Sequence, residues 1–190
     1  MQRALKAFAI APSQTTFLAA FQALSRSSGC LAVIDVALLA ELAEAGDHAA
    51  FAAVLAELPP IVALSPAVHA LAAQSARTAG DAEDAELEEF LLEACLAGIL
   101  DSGDGSPDSP YFVVCTADER HICQALGLEP GPQALINRSG TALDVVQCLD
   151  GTDVWFDLSR QVPLPAPHPI VQKNAKCAAR PRERLSQSRR

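Results

Sequence analysis

Two acidic residues follow apolar runs of the chain at positions where they could hold a metal ion. The run 111–116 is apolar until it ends in Thr116, and Asp118 comes two residues later; a second apolar run, 30–35, ends in Asp35. Each run is typical of a strand that leads directly into a helix. Parallel strands would bring these side chains to one sheet edge, where open α/β sheets bind ligands. Because Mg²⁺ and Mn²⁺ prefer oxygen ligands, Asp35 and Asp118 form a candidate metal site.

A simpler interpretation needs no metal, since an aspartate at the start of a helix can cap it by accepting backbone N–H groups. A working metal site for cleavage would also require more carboxylates, because it must offset the charge of two divalent ions. Three further acidic residues could complete such a site: Glu93, Asp101 and Asp104. The sequence leaves the capping and metal interpretations open.

Thiols and histidine form a second group of possible ligands. His121 and Cys123 are close in sequence, and Cys95 and Cys115 could lie near them, which suggests a weak zinc candidate. The six cysteines fall mostly inside apolar runs, without a Cys-x-x-Cys pair. We therefore interpret the cysteines as small hydrophobic core residues, in a protein that occupies a reducing, intracellular compartment.

Helical and strand patterns alternate along the chain and predict an α/β fold. Helices are predicted at 36–45, 49–58, 67–77, 85–100 and from Ala117, with strands at 30–35, 61–64, 111–116, 133–137, 141–147 and 154–156. Asp47 and Ser65 are placed to cap two of these helices. The alternation favours a mainly parallel central sheet flanked by helices, giving three layers.

Charge and composition divide the chain into three parts: an N-terminal helical extension (1–29), a domain (30–158), and a Pro-rich linker with a basic tail (159–190). The net charge is −9, yet the last 18 residues carry seven basic residues against one acidic residue. We expect this tail to be disordered, because it has little apolar area to bury. Its alternative role is solubility or localisation. The candidate contacts with RNA phosphates are Lys173, Lys176, Arg180, Arg182 and Arg184.

Two short motifs carry a resemblance to a known family. The segments 111–118, Tyr-Phe-Val-Val-Cys-Thr-x-Asp, and 130–138, Pro-Gly-Pro-x-Ala-Leu-Ile-Asn-Arg, follow the strand that ends in Asp35. In this order and spacing they resemble a PIN domain, and more narrowly the PIN proteins of the small-subunit processome. The resemblance spans roughly residues 5 to 150.

The resemblance implies a compact three-layer α/β fold, which in active members cuts single-stranded RNA with Mg²⁺ or Mn²⁺ held by acidic residues. Asp35 and Asp118 match two of those residues, and Thr116 matches the hydroxyl of the last motif. Another acidic position of the family falls near His69 and Ala70, and neither supplies a carboxylate. The resemblance therefore implies a degenerate nuclease site.

The function implied is that of a small-subunit assembly factor in pre-rRNA processing, in the nucleus and nucleolus. Its partners would be pre-ribosomal RNA and processome proteins, with no membrane association. No cofactor is expected for this scaffold, whereas an active form would need Mg²⁺ or Mn²⁺. Two alternatives remain: a metal-dependent single-strand endoribonuclease, and an α/β protein-interaction module that does not bind RNA. Because the acidic body repels RNA, any RNA contact is expected from the tail, or a protein partner does the main binding.

Overall fold

The computed structural model describes residues 2–27, 36–138 and 140–158, and in these ranges the chain has an α/β architecture. Asp35, the run 30–35 and the basic tail lie outside the described residues. The described helices are α1 (Gln2–Ile10), α2 (Gln14–Ser27), α3 (Ala37–Ala45), α4 (His48–Glu57), α5 (Pro66–Ala79), α6 (Ala82–Leu100) and α7 (Thr116–Ala125). The strands are β1 (Tyr111–Phe112), β2 (Pro130–Arg138), β3 (Thr141–Cys148) and β4 (Asp153–Asp157).

Local capping explains where the central helices begin and end. Gly46 follows α3 with φ of 68°, a left-handed conformation that glycine adopts without a steric penalty. The Asp47 carboxylate accepts the Ala50 N–H at 3.1 Å, and the Ser65 hydroxyl accepts the Val68 N–H at 3.2 Å. Both predicted caps are therefore confirmed.

The four strands form one mixed sheet in the order β1-β4-β3-β2. Only β1 and β4 pair in parallel, with Tyr111 opposite Phe156, whereas β2–β3 and β3–β4 are antiparallel. A mainly parallel sheet is not confirmed among the described residues. The connections explain the antiparallel pairs, because tight turns join β2, β3 and β4, and parallel neighbours need a long crossover.

Two strand predictions differ from the structure. The apolar run 61–64 belongs to a 3-10 helix, Pro60–Leu64, so the predicted strand is wrong. Proline at the start of this turn has the backbone φ that a helix needs, and four apolar residues alone do not distinguish a buried strand from a buried helical turn. The second run, 111–116, pairs as a strand only at Tyr111–Phe112.

One hydrophobic core joins the N-terminal helices to the sheet. Phe8, Phe17, Phe21 and Phe112 form a chain of ring contacts with centroid separations of 5.6, 6.2 and 6.0 Å. Gly98 of α6 faces this chain, and a Cβ atom there would lie 2.5 Å from the Phe17 ring. The absence of a side chain at Gly98 therefore lets α2 pack closely on α6.

The sheet meets the helices at β1 and at the start of α7. The Tyr111 ring packs against Phe156 with centroids 6.1 Å apart. The Trp155 N–H of β4 also donates to the carbonyl of Gly105, in the loop before β1, at 2.9 Å. This junction positions the residues that sequence analysis selected, because α7 begins four residues after β1.

Candidate functional site

Asp118 lies completely inside the protein, with 0% of its surface exposed. It occupies the third position of α7, where its Oδ2 accepts the backbone N–H groups of Val114 and Cys115, each at 3.0 Å. Its Oδ1 accepts the Ser65 hydroxyl at 2.6 Å and the Ala67 N–H at 3.1 Å. We call these five residues the Asp118 clasp, since one carboxylate holds four donors from two chain segments.

The clasp joins the N-terminal ends of α5 and α7. Ser65 caps α5 and Ala67 is its second residue, while Cys115 caps α7. Free N–H groups and the partial positive charge at a helix start both favour a carboxylate. Burial raises the pKa of Asp118, and the four hydrogen bonds act in the opposite direction. The capping interpretation is therefore confirmed for Asp118, and it extends to a second helix.

The other acidic residues selected from the sequence do not share this environment. Glu93, Asp101 and Asp104 are exposed, and the Asp104 carboxylate accepts the Ser106 N–H within its own loop at 2.9 Å. Among residues 2–27, 36–138 and 140–158, no three His, Cys, Asp or Glu side chains are grouped to hold a metal ion. Thr116 is exposed at the start of α7.

The cysteines near α7 are core residues. Cys95, Cys115 and Cys123 are buried within the hydrophobic core. Burial raises the pKa of the Cys95 and Cys115 thiols, and burial together with the neighbouring Cys148 raises the pKa of Cys123 to about 12. All three therefore favour the protonated thiol at neutral pH, as expected of cysteines that pack as small apolar side chains.

Glu119 is the buried acid that sequence reasoning missed. Only 2% of its surface is exposed, and neither Oε1 nor Oε2 has a hydrogen-bond partner among the described residues. Burial raises the pKa of Glu119 to about 9, with further contributions from the charges of Asp144 and Asp118. Asp144 of β3 is also 2% exposed, and burial raises its pKa as well.

A polar cavity of about 200 Å³ lies beside Glu119, between the start of α7 and the edge of the β2–β3 hairpin. We call it the Glu119 cavity; its lining is Thr116, Glu119, Arg120, Pro130, Gly131, Gln133 and Val146. It includes Thr116, one of the three residues that the family resemblance selected. Helical spacing offered a signal for this site, because Ile122 and Cys123 lie three and four positions after Glu119 and share its buried face.

A second cavity, of about 400 Å³, lies under α5 and is mainly apolar. His69 and Glu88 lie in its wall, with His69 Nδ1 2.5 Å from Glu88 Oε2 and His69 Nε2 3.1 Å from the Ala63 carbonyl oxygen. Both ring nitrogens are thus engaged within the protein. His69 therefore lines this cavity and does not take the place of the acidic metal ligand that the family has near this position.

Among the described helices, none combines the length and apolar character needed to cross a membrane. Comparison of the chain with protein-family models, with curated proteins and with solved structures gives no match.

Proposed function

We propose that this protein is a binding scaffold in small-subunit ribosome assembly, with a degenerate PIN-like domain that does not cut RNA. The observation that carries this proposal is the burial of Asp118, whose carboxylate is 0% exposed and accepts four hydrogen bonds. The segments 111–118 and 130–138 supply the resemblance to the family. On this proposal, a position that active members use for a metal has been retained for packing.

Physical chemistry supports a structural role for Asp118. To coordinate an ion that also contacts RNA, its oxygens would have to release donors and reach solvent. Each abandoned buried donor costs about 1–3 kcal/mol, unless it finds another partner. Ser65 and the backbone N–H of Ala67 would both lose the partner that holds the start of α5. Two divalent ions also need more negative charge than one enclosed carboxylate provides.

The charge distribution supports separate roles for the body and the tail. The last 18 residues carry seven of the 14 basic residues, whereas the acidic residues are concentrated in the body. We propose that Lys173, Lys176, Arg180, Arg182 and Arg184 contact pre-ribosomal RNA phosphates, and that the acidic body contacts processome proteins. With these partners, we propose that the protein acts in the nucleolus.

The test begins with affinity purification of the tagged full chain, followed by sequencing of bound RNA and identification of bound proteins. Small-subunit precursor RNA and processome proteins, without Mn²⁺-dependent cleavage of single-stranded RNA, are the expected result. Cleavage by the purified chain that disappears in a folded Asp118→Asn variant would instead identify a nuclease. If no RNA is recovered and no cleavage is detected, the result would favour the protein-interaction module.

A tail variant separates RNA binding from recovery through a protein partner. Replacing the five tail residues with Gln should weaken single-stranded RNA binding and lower its salt dependence by about 0.7 in log–log slope per lost phosphate contact. The matched control replaces exposed basic residues of the body, Arg77 and Arg138, with Gln. Equal losses in both variants would contradict the assignment of RNA contact to the tail.

A further inference from the structure

We propose that the Glu119 cavity binds a guanidinium group carried by a ligand. The cavity measures about 200 Å³, which exceeds the share of liquid volume that one water occupies, about 30 Å³. It has room for a planar cation, and Glu119 is one of the residues that line it. This inference is independent of the proposed role in ribosome assembly.

The case for a cation rests on Glu119. The side chain is 98% buried and lines the cavity, and both of its oxygens lack hydrogen-bond partners among the described residues. An unpaired buried carboxyl group is unfavourable, and donors with positive charge relieve it best. Asp144, 2% exposed and close enough for its charge to act on Glu119, adds to the attraction for a cation.

The hydrogen bonds around Asp144 favour guanidinium over a metal ion. Asp144 Oδ1 already accepts the Val145 N–H at 2.9 Å, and its Oδ2 accepts the Gln133 side-chain amide at 3.0 Å. Glu119 in its deprotonated form therefore offers the two open acceptors, which match the paired donors of a guanidinium in bidentate geometry. A divalent ion needs about six oxygen ligands, and the described residues contain no group of three acidic, Cys or His side chains suited to hold one.

Arg120 affects this site because it lines the same cavity. Its positive charge opposes an incoming cation, and its own guanidinium is the competing occupant. Among the described residues, no ion pair joins Arg120 to Glu119. The proposal therefore predicts tighter binding of an added guanidinium when Arg120 is replaced with Gln.

The experiment measures binding to the full chain by isothermal titration calorimetry. The probes are N-acetyl-arginine amide as the peptide form, agmatine as the free small-molecule form, and N-acetyl-citrulline amide as a neutral probe of similar shape. We expect one or both guanidinium probes to bind, and the tighter one indicates whether the source is a protein side chain or a small molecule. Equal binding of the citrulline probe, or no binding of either guanidinium probe, would overturn the proposal.

Two substitutions test whether the ligand binds at Glu119. Glu119→Gln should weaken binding at least about tenfold, because it removes the charge of a bidentate pair. Glu129→Gln, which removes an exposed acid outside the cavity lining, is the matched control and should leave binding unchanged. Thermal melting confirms that both variants fold. Binding that appears only in Arg120→Gln would mean that Arg120 fills the cavity of the wild type. It would overturn the proposal that the wild-type cavity binds an external ligand.

Discussion

Asp118 and Glu119 are adjacent in the chain and equally hidden from solvent, yet their surroundings differ completely. Asp118 receives four hydrogen bonds, two of them across to the start of α5. Glu119 receives none among the described residues and is one of the residues that line a cavity. Burial alone therefore does not identify a functional acid. The number of donors already bound to it separates a carboxylate that holds the fold together from one with capacity for a ligand.

The largest effect is expected from removing the Asp118 carboxylate. Asp118→Ala should lower the free energy of unfolding by about 3–5 kcal/mol, since it leaves the donors of Ser65, Ala67, Val114 and Cys115 buried without a partner. Urea unfolding measures the difference. The exposed Asp153→Ala is the control and should change stability little. Equal losses in the two variants would contradict the clasp.

Glu119 should instead make stability depend on pH. Its pKa of about 9 in the folded protein lies above the ordinary 4.5, so its contribution is fully present below pH 4.5 and is lost as the pH rises through about 9. The free energy of unfolding should fall by up to about 1.4 kcal/mol per pH unit across this window. Glu119→Gln should flatten the profile and be more stable than the wild type at pH 8. A variant with the wild-type slope would show that another group titrates.

A smaller effect should separate the two roles of Ser65. Ser65→Ala removes both the cap of α5 and one donor to Asp118, whereas Asp81→Ala removes only the cap of α6, where the carboxylate accepts the Asp84 N–H at 3.0 Å. A lost cap costs about 1 kcal/mol, and Ser65→Ala should cost roughly another 1 kcal/mol or more. Equal losses measured by urea unfolding would mean that the bond to Asp118 contributes nothing.

The smallest effect is expected at an exposed carboxylate. Arg138 and Asp108 form an ion pair at 2.9 Å, but the Asp108 side chain is 87% exposed. Replacing Asp108 with Asn should change the free energy of unfolding by less than about 1 kcal/mol, because solvent and salt screen the pair. A loss as large as that of Asp118→Ala would show that an exposed carboxylate can stabilise the fold as much as a buried one.

Local signals in the sequence predicted a good part of this fold. Asp47 and Ser65 are caps because short polar side chains reach backbone N–H groups three residues later, and this contact needs no tertiary information. The β2–β3 hairpin was also predicted, from two strand patterns separated by a turn. The strand predicted at 61–64 is instead a 3-10 helix, because a short apolar run predicts that residues are buried but does not distinguish a strand from a helical turn.

The site depended on tertiary contacts that the sequence does not encode locally. Asp118 was selected for its position after a strand, but its partners Ser65 and Ala67 come from a segment about fifty residues earlier. The same carboxylate also binds the backbone N–H groups of Val114 and Cys115, in the segment between β1 and α7. Glu119 was passed over because an acid in the first turn of a helix usually faces solvent.

The parallel pairing of Tyr111 with Phe156 has a consequence for the order of folding. Strands β2, β3 and β4 contact their neighbours in sequence, so they can associate after closing only short loops. Joining β1 to β4 requires closure over some 45 residues, which is entropically slower. Because Trp155 is the single tryptophan and lies in β4, its fluorescence should report this late docking step directly.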